Sequence, residues 1–177
     1  MTEQATLTVD VYIRNVTVHD DHDLGPAKGE FDISFVTSAS PVSSDPSSRS
    51  GTRWTGTVTS GATYDVGAWT GPATIAAGRS LLLAGAGEEQ DRFRNDALRG
   101  GLTYLSAEQG WGAGRWWRTT NGKDFDFLFY VARVEGEASP GGAGAPDYPG
   151  ASADAPGPSA PTRDEYFAAF GAPLDNA

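Results

Sequence analysis

The amino-acid sequence predicts an all-β fold: an antiparallel β-sandwich of about eight strands, followed by a disordered tail rich in Gly, Ala and Pro. Short segments in which apolar and polar residues alternate recur along residues 5–134, and this period of two is typical of half-buried strands. Gly, Pro, Asn and Asp separate many of these segments and are typical of turns. Before residue 160 we find no useful length of helical periodicity.

The predicted strands follow one another at short spacing, which favours a sandwich or a barrel. Leu7–Val18 alternates apolar with polar residues, and Glu30–Val36 places three large apolar side chains on one face. Asp124–Val134 (DFDFLFYVARV) is the clearest strand, and Asn121-Gly122 before it is typical of a hairpin because both residues tolerate positive φ. The shorter strands expected between them are Thr52–Val58, Thr63–Val66, Ala73–Ala76, Ser80–Ala84, Leu102–Leu105 and Arg115–Thr120.

Composition divides the chain into three parts: a β-sandwich domain over residues 1–137, a flexible linker over 138–161 and a docking tail over 162–177. The linker consists almost wholly of Gly, Ala, Pro, Ser and Asp. Such a segment buries too little apolar surface to offset the entropy lost on ordering, so we expect it to be mobile.

A short helix is predicted within the docking tail. Thr162 and Glu165 have the spacing of a capping box, and Gly171 would end the helix. A helix this short is marginal alone, so it needs a surface on which to dock. That surface belongs either to the domain itself or to a protein partner, and the sequence leaves both open. The aromatic side chains expected on the docking side are Tyr166, Phe167 and Phe170.

The net charge of −10 is spread unevenly along the chain. Residues 1–134 carry 16 acidic and 12 basic side chains, whereas residues 135–177 carry 7 acidic and one basic. Binding to nucleic acid depends on clustered Lys and Arg at the phosphates. We therefore expect no nucleic-acid partner.

Cellular location is inferred from what the sequence lacks. There is no cysteine, so we expect neither disulfides nor thiolate chemistry. The N-terminal residues have no basic start or apolar centre typical of a signal peptide, and no apolar run reaches the length of a membrane span. These features predict a cytoplasmic protein without integral membrane contact. Its 11 Arg against 2 Lys, with abundant Ala, Gly and Pro, are typical of a GC-rich bacterial genome.

The first acidic loop, residues 19–30 (HDDHDLGPAKGE), lies between two predicted strands. Its carboxylates repel one another, and Asp, Gly and Pro are also ordinary turn residues. A divalent cation would relieve this repulsion. Asp21 and Asp23 at alternate positions, together with backbone carbonyls, can supply several of the six to eight oxygens that calcium takes.

The second acidic loop, residues 87–100 (GEEQDRFRNDALRG), follows another predicted strand. Its acidic residues alternate with Arg92, Arg94 and Arg99, so surface ion pairs explain them as well as calcium does.

Together, the two loops resemble a known family. A strand that ends in an Asp-rich loop, and a later strand that continues into Asp91-Arg-Phe-Arg-Asn-Asp96 and Gly100, are similar to the first and third loops of calcium-dependent C-two domains. The resemblance implies a C-two-like sandwich in which both loops share calcium at one end, and it leaves binding to a membrane surface open. The calcium ligands it implies are Asp21, Asp23, Glu89, Asp91 and Asp96, with Asp20 and Glu30 as additional candidates.

Two other kinds of site compete with calcium. His19 and His22 flank an Asp pair, and imidazole with carboxylate suits zinc or manganese. The five tryptophans could form a sugar-binding face, although the adjacent Trp116 and Trp117 would point to opposite faces of a strand, which favours a packing role. No nucleophile or phosphate-loop motif was found, so we expect no enzymatic activity.

The sequence therefore favours a calcium-binding β-sandwich that acts as a binding or adaptor module and tethers a protein partner through its C-terminal tail. A structural component of a larger bacterial assembly and a carbohydrate-binding module are the alternatives.

Overall fold

A computed structural model describes residues 6–22, 28–91, 95–135 and 144–171. The fold is all-β, as predicted, with one short helix. The strands are β1 (Leu7–Val18), β2 (Gly29–Ser40), β3 (Arg49–Val58), β4 (Thr63–Ile75), β5 (Ser80–Glu89), β6 (Asp96–Leu105), β7 (Arg115–Arg118), β8 (Phe125–Arg133) and β9 (Ala153–Asp154), and the helix is α1 (Arg163–Phe170).

The strands form one mixed sheet in the order β3-β2-β5-β6-β8-β1-β4, with β7 on β8 and β9 on β7. The sheet is nearly closed into a barrel, because β3 and β4 stand at the two ends of this order and are joined by a tight connection. Most pairs are antiparallel, but β6 with β8 and β7 with β9 are parallel. The expectation of a wholly antiparallel sandwich is therefore not confirmed.

The core consists of the alternating faces that the sequence predicts. Phe127 of β8 packs edge-on against Phe35 of β2, with ring centroids 5.1 Å apart. The single bridge between β6 and β8 joins Gly100 to Phe125, and a Cβ at Gly100 would overlap the Phe125 ring. Glycine is thus what lets β6 and β8 approach here. The fully buried large side chains of these strands include Ile13, Phe31, Ile33, Leu81, Leu83 and Phe129.

Strand β4 runs unbroken where the sequence predicts two strands, Thr63–Val66 and Ala73–Ala76. Gly67, Gly71 and Pro72 lie between these two segments, and glycine and proline commonly interrupt a strand. Instead, the pairing of β1 with β4 shifts register between Asp10 and Tyr12, and the Asp10 carboxylate accepts the backbone N–H of Gly71 at 3.0 Å. A bulge of this kind absorbs residues that would otherwise end a strand.

Residues 138–161 are predicted to be a flexible linker. The structure describes this segment from residue 144 onward, and hydrogen bonds join it to the domain. Strand β9 pairs with β7. The Pro156 carbonyl accepts hydrogen bonds from the Thr103 hydroxyl and the Tyr104 backbone N–H, and the Pro158 carbonyl accepts one from the Asn121 side chain. Residues 144–161 therefore pack on the domain, which corrects the prediction that they are disordered. That prediction was based on the shortage of apolar side chains, whereas hydrogen bonds to backbone carbonyls hold much of this segment.

The predicted helix is present, and it docks on its own domain. Thr162 and Glu165 form the capping box, and Gly171 ends the helix at φ 73°. Tyr166 is 1% exposed and its hydroxyl donates to the Gly100 carbonyl. The apolar surface around Tyr166 comprises Leu82, Ala84, Ala86, Leu102 and Ala169.

The three aromatic residues expected to face one docking surface divide between two sides of α1. Tyr166 and the partly buried Phe170 pack on the domain, whereas Phe167 is 45% exposed. Among the described residues, no helix is long and apolar enough to cross a membrane.

Candidate functional site

Two loops and the start of β8 meet at one end of the sheet. Antiparallel pairing places Val18 of β1 opposite Phe125 of β8. The chain continues past Val18 alongside Asp124, whose backbone carbonyl accepts the N–H of His19 at 2.7 Å. The first acidic loop therefore begins directly against the start of β8.

A histidine–aspartate pair lies at the centre of this end. His22 Nε2 is 2.6 Å from Asp124 Oδ1. The other carboxylate oxygen of Asp124 accepts the backbone N–H of Arg99 at 2.7 Å. Asp124 is fully buried, and both of its oxygens are thus fixed in direction by the surrounding chain.

The loop backbone orients His22 toward Asp124. His22 has φ 61°, a left-handed conformation that is uncommon outside glycine. The side chain of Asp20 accepts the backbone N–H of His22 at 2.9 Å and supports this turn.

Three carboxylates lie near the His22 ring. Two belong to Asp124 and Asp20, and the third to Asp96, whose Oδ2 is 4.0 Å from His22 Nδ1. Partial burial of the ring disfavours the charged form. The hydrogen bond to Asp124, and the charges of Asp124, Asp20 and Asp96, outweigh that effect, so the pKa of His22 is raised above its ordinary value. The protonated form of His22 is thereby favoured, and its positive charge offsets repulsion among the carboxylates at this end of the sheet.

Asp20, His22 and Asp124 also form a group that could hold a metal ion. Each offers one donor atom, and these atoms all lie within 4.8 Å of one another. The group joins one exposed, one half-buried and one buried residue, so part of it is open to solvent.

A second histidine–aspartate pair lies beside the first. His19 Nε2 is 2.7 Å from Asp126 Oδ2. The other oxygen of Asp126 accepts the Thr119 hydroxyl at 2.7 Å and the Gly122 N–H at 3.0 Å. Both histidines of the chain are therefore paired with aspartates two residues apart, one just before β8 and one at its start.

The calcium ligands expected in the first loop take different positions. Asp21 is buried and exchanges hydrogen bonds with Ser60 in the β3–β4 turn, through its own N–H and its carboxylate. Asp20 belongs to the group described above, and Glu30 is exposed on β2. Asp23 lies outside the described residues.

The ligands expected in the second loop are also separated. Glu89 is buried at the end of β5, and Asp91 is exposed in the loop that follows. Asp96 lies opposite Glu89 at the start of β6. Its carboxylate is at the edge of the site, 4.0 Å from His22 Nδ1. The two loops therefore meet, but the donor group found among the described residues contains none of the five main ligands expected.

Asp124 belongs to the candidate site but is not among the residues expected from the sequence. It was assigned to a strand, and nothing in the local sequence connects it to a loop about 100 residues earlier. The zinc or manganese alternative named His19 and His22 but lacked a third ligand. Asp124 and Asp126 alternate with phenylalanines of the core, and this is the sequence feature that could have pointed to them.

None of the protein-family models compared with this sequence matches it, and no curated protein matches it closely enough to count as a relative.

Proposed function

We propose that this protein is a divalent-metal-binding β-domain, in which the ion connects the first acidic loop to the start of β8. The observation that carries the proposal is the group of three donor atoms from Asp20, His22 and Asp124, all within 4.8 Å of one another. Residues from distant parts of the chain supply these atoms, so an ion bound here would stabilise the tertiary structure at this end of the sheet.

The dimensions of the group suit a small ion. Two donors on one tetrahedral ion, with bonds of about 2.1 Å, lie about 3.4 Å apart. The donor atoms of the group lie within 4.8 Å of one another, and His22 Nε2 and Asp124 Oδ1 are 2.6 Å apart, so an ion would draw Asp20 closer and separate the other two. The ion would replace the proton between His22 and Asp124, and the backbone N–H of Arg99 would still orient the Asp124 carboxylate.

The donor types favour zinc or manganese over the calcium expected from the loops. Imidazole with carboxylates suits transition metals, whereas calcium takes oxygen ligands alone. Calcium remains a second proposal, since Asp21, Glu89 and Asp96 lie at the same end of the sheet. The likeness to calcium-dependent C-two domains is supported by this meeting of two acidic loops.

The role proposed for the domain is binding rather than catalysis. Three protein ligands leave at least one coordination position for water or for a group of a bound partner. Of the three aromatic residues expected to dock, Phe167 is the exposed one, so a partner contact through the tail, the adaptor role expected from the sequence, would use Phe167.

The metal proposal is tested by thermal unfolding of the chelator-treated protein with zinc, manganese or calcium. For a Kd on the order of 10⁻⁵ M, an ion at about 1 mM stabilises the folded state by about 2.7 kcal/mol. That corresponds to a rise in Tm of about 5–11 °C for a protein of this size. We expect this rise with zinc or manganese.

Two variants distinguish the metal group formed by Asp20, His22 and Asp124 from the calcium site expected from the sequence. Asp20→Asn should abolish the rise in Tm, whereas Asp91→Asn, an exposed acidic residue outside the group, should leave it unchanged. No rise with zinc or manganese, or an equal rise in Asp20→Asn, contradicts the proposal. A rise with calcium that Asp91→Asn removes would instead support the loop-based calcium site.

A further inference from the structure

A cavity of about 430 Å³ with both polar and apolar lining lies beside the second histidine–aspartate pair, on the outer face of β1 and β8. Its lining includes Thr17, His19, Thr63, Arg118, Asp126 and Tyr148. The volume falls in the range of sites that bind small molecules. His19, Thr63 and Arg118 are exposed to solvent, so a ligand has access.

Hydroxyl groups dominate the polar part of the cavity. The Thr17 and Thr63 hydroxyls lie 3.0 Å apart across the β1–β4 pair, and the exposed Thr120 adds a third. A hydroxyl can both donate and accept a hydrogen bond. This lining therefore matches a ligand whose own groups do the same.

The His19–Asp126 pair supplies a fixed polar group at one side. Asp126 is 7% exposed and is held by Thr119 and Gly122. Since a carboxylate oxygen only accepts, the hydrogen bond is donated by His19 Nε2, and a neutral His19 has an acceptor at Nδ1. The guanidinium of Arg118 adds donors at the rim.

Tyr148 from the C-terminal segment forms an aromatic wall of the cavity. Its ring packs against Trp116, with centroids 4.9 Å apart, and the Arg14 guanidinium carbon lies 4.8 Å from the ring centre. The segment is anchored next to this wall, because Trp116 Nε1 donates to the Asp147 carbonyl at 3.0 Å. The cavity is thus completed by residues that would be absent if the segment were detached.

We propose that this cavity binds a neutral saccharide unit, packed against the half-buried Tyr148 ring and with its hydroxyls bonded to Thr17, Thr63, Thr120, His19 and Arg118. The charged groups argue for an uncharged ligand, because Arg118 is opposed by the carboxylate of Asp126. The saccharide site uses the second histidine–aspartate pair, whereas the metal group uses the first, and the aromatic wall comes from Tyr148 rather than from the tryptophans.

The test is a titration of the isotope-labelled full chain by amide NMR in the presence of a chelator. The probes are glucose, galactose, mannose and N-acetylglucosamine, with acetate and inorganic phosphate as anionic comparisons. A single sugar unit has few heavy atoms, so we expect a Kd on the order of 10⁻³ M. At least one sugar should produce saturable shifts at the amides of Thr17, His19 and Thr119.

Matched variants assign the contact. Tyr148→Ala should weaken sugar binding at least about tenfold, Tyr148→Phe should retain it, and Phe167→Ala, an exposed aromatic on α1, should bind as the wild type does. Should Tyr148→Ala fail to fold, Arg118→Ala removes an exposed donor and should still weaken binding severalfold.

Three results would overturn the proposal. They are the absence of saturable shifts at the cavity with all four sugars, unchanged affinity in Arg118→Ala together with Tyr148→Ala, and tighter binding of acetate or phosphate than of every sugar.

Discussion

Replacing Tyr166 with alanine tests whether the C-terminal segment is part of the folded domain. The Tyr166 ring is 1% exposed and packs on β5 and β6, and its hydroxyl donates to the Gly100 carbonyl. Tyr166→Ala leaves a cavity in this contact and removes the hydrogen bond to the Gly100 carbonyl.

The expected cost follows from the size of the buried ring. Truncation of a buried aromatic residue to alanine typically costs about 3–5 kcal/mol, and loss of the hydrogen bond adds about 1 kcal/mol. Because α1 has only 8 residues and can detach as a unit, the loss is limited by the free energy with which it docks. We therefore expect the lower end, about 3 kcal/mol, which lowers Tm by about 6–12 °C.

Phe167→Ala is the matched control, because Phe167 lies on the same helix and is 45% exposed. Its effect on the free energy of unfolding should stay within about 0.5 kcal/mol. Both variants are compared with the wild type by thermal and urea unfolding. If Tyr166→Ala and Phe167→Ala unfold at the same temperature as the wild type, the segment contributes nothing to stability, and a tail that serves only a separate partner is the better interpretation.

Two further predictions follow from the same contact. Burial raises the pKa of the Tyr166 hydroxyl above its ordinary value of about 10. Above that pH the unfolded chain loses this proton before the folded one does, so the stability that Tyr166 contributes is present below about pH 10 and falls as the pH rises further. Urea unfolding between about pH 8 and pH 11 should show a steeper loss in the wild type than in Tyr166→Phe, and equal slopes would refute the assignment. Gly100→Ala should destabilise the protein by about 1–3 kcal/mol, because its Cβ would overlap the Phe125 ring, and an unchanged urea midpoint would contradict this packing.

The parts of the fold that the sequence predicts well are those set by local alternation. Over Leu7–Ile13, Phe31–Phe35 and Phe125–Val131 every second residue is apolar, and those faces form the core. Adjacent Trp116 and Trp117 are both buried, as expected from opposite faces of a strand, with Trp116 covered by Tyr148. The capping box of α1 was visible because it depends on residues only three positions apart.

Features that depend on contacts between residues distant in the sequence could not be predicted from local patterns. The continuity of β4 depends on a bulge against β1, and the ordering of 144–161 depends on hydrogen-bond donors in β6 and near β8. Composition alone treats a segment of Gly, Ala and Pro as mobile, because it does not include what the surrounding domain offers to the backbone carbonyls.

The alternation of Asp and Phe at the start of β8 contains information about the candidate site. In the sequence DFDF the phenylalanines face the core, so Asp124 and Asp126 are expected on the outer face in solvent. Both are nevertheless buried, at 0% and 7% exposure, and a buried carboxylate is costly unless it is paired. The side chains that meet these two carboxylates include the two histidines of the chain, His19 and His22. A loop that places its histidines on buried carboxylates holds polar groups fixed in direction at one end of the sheet, and both the metal and the saccharide proposals depend on that arrangement.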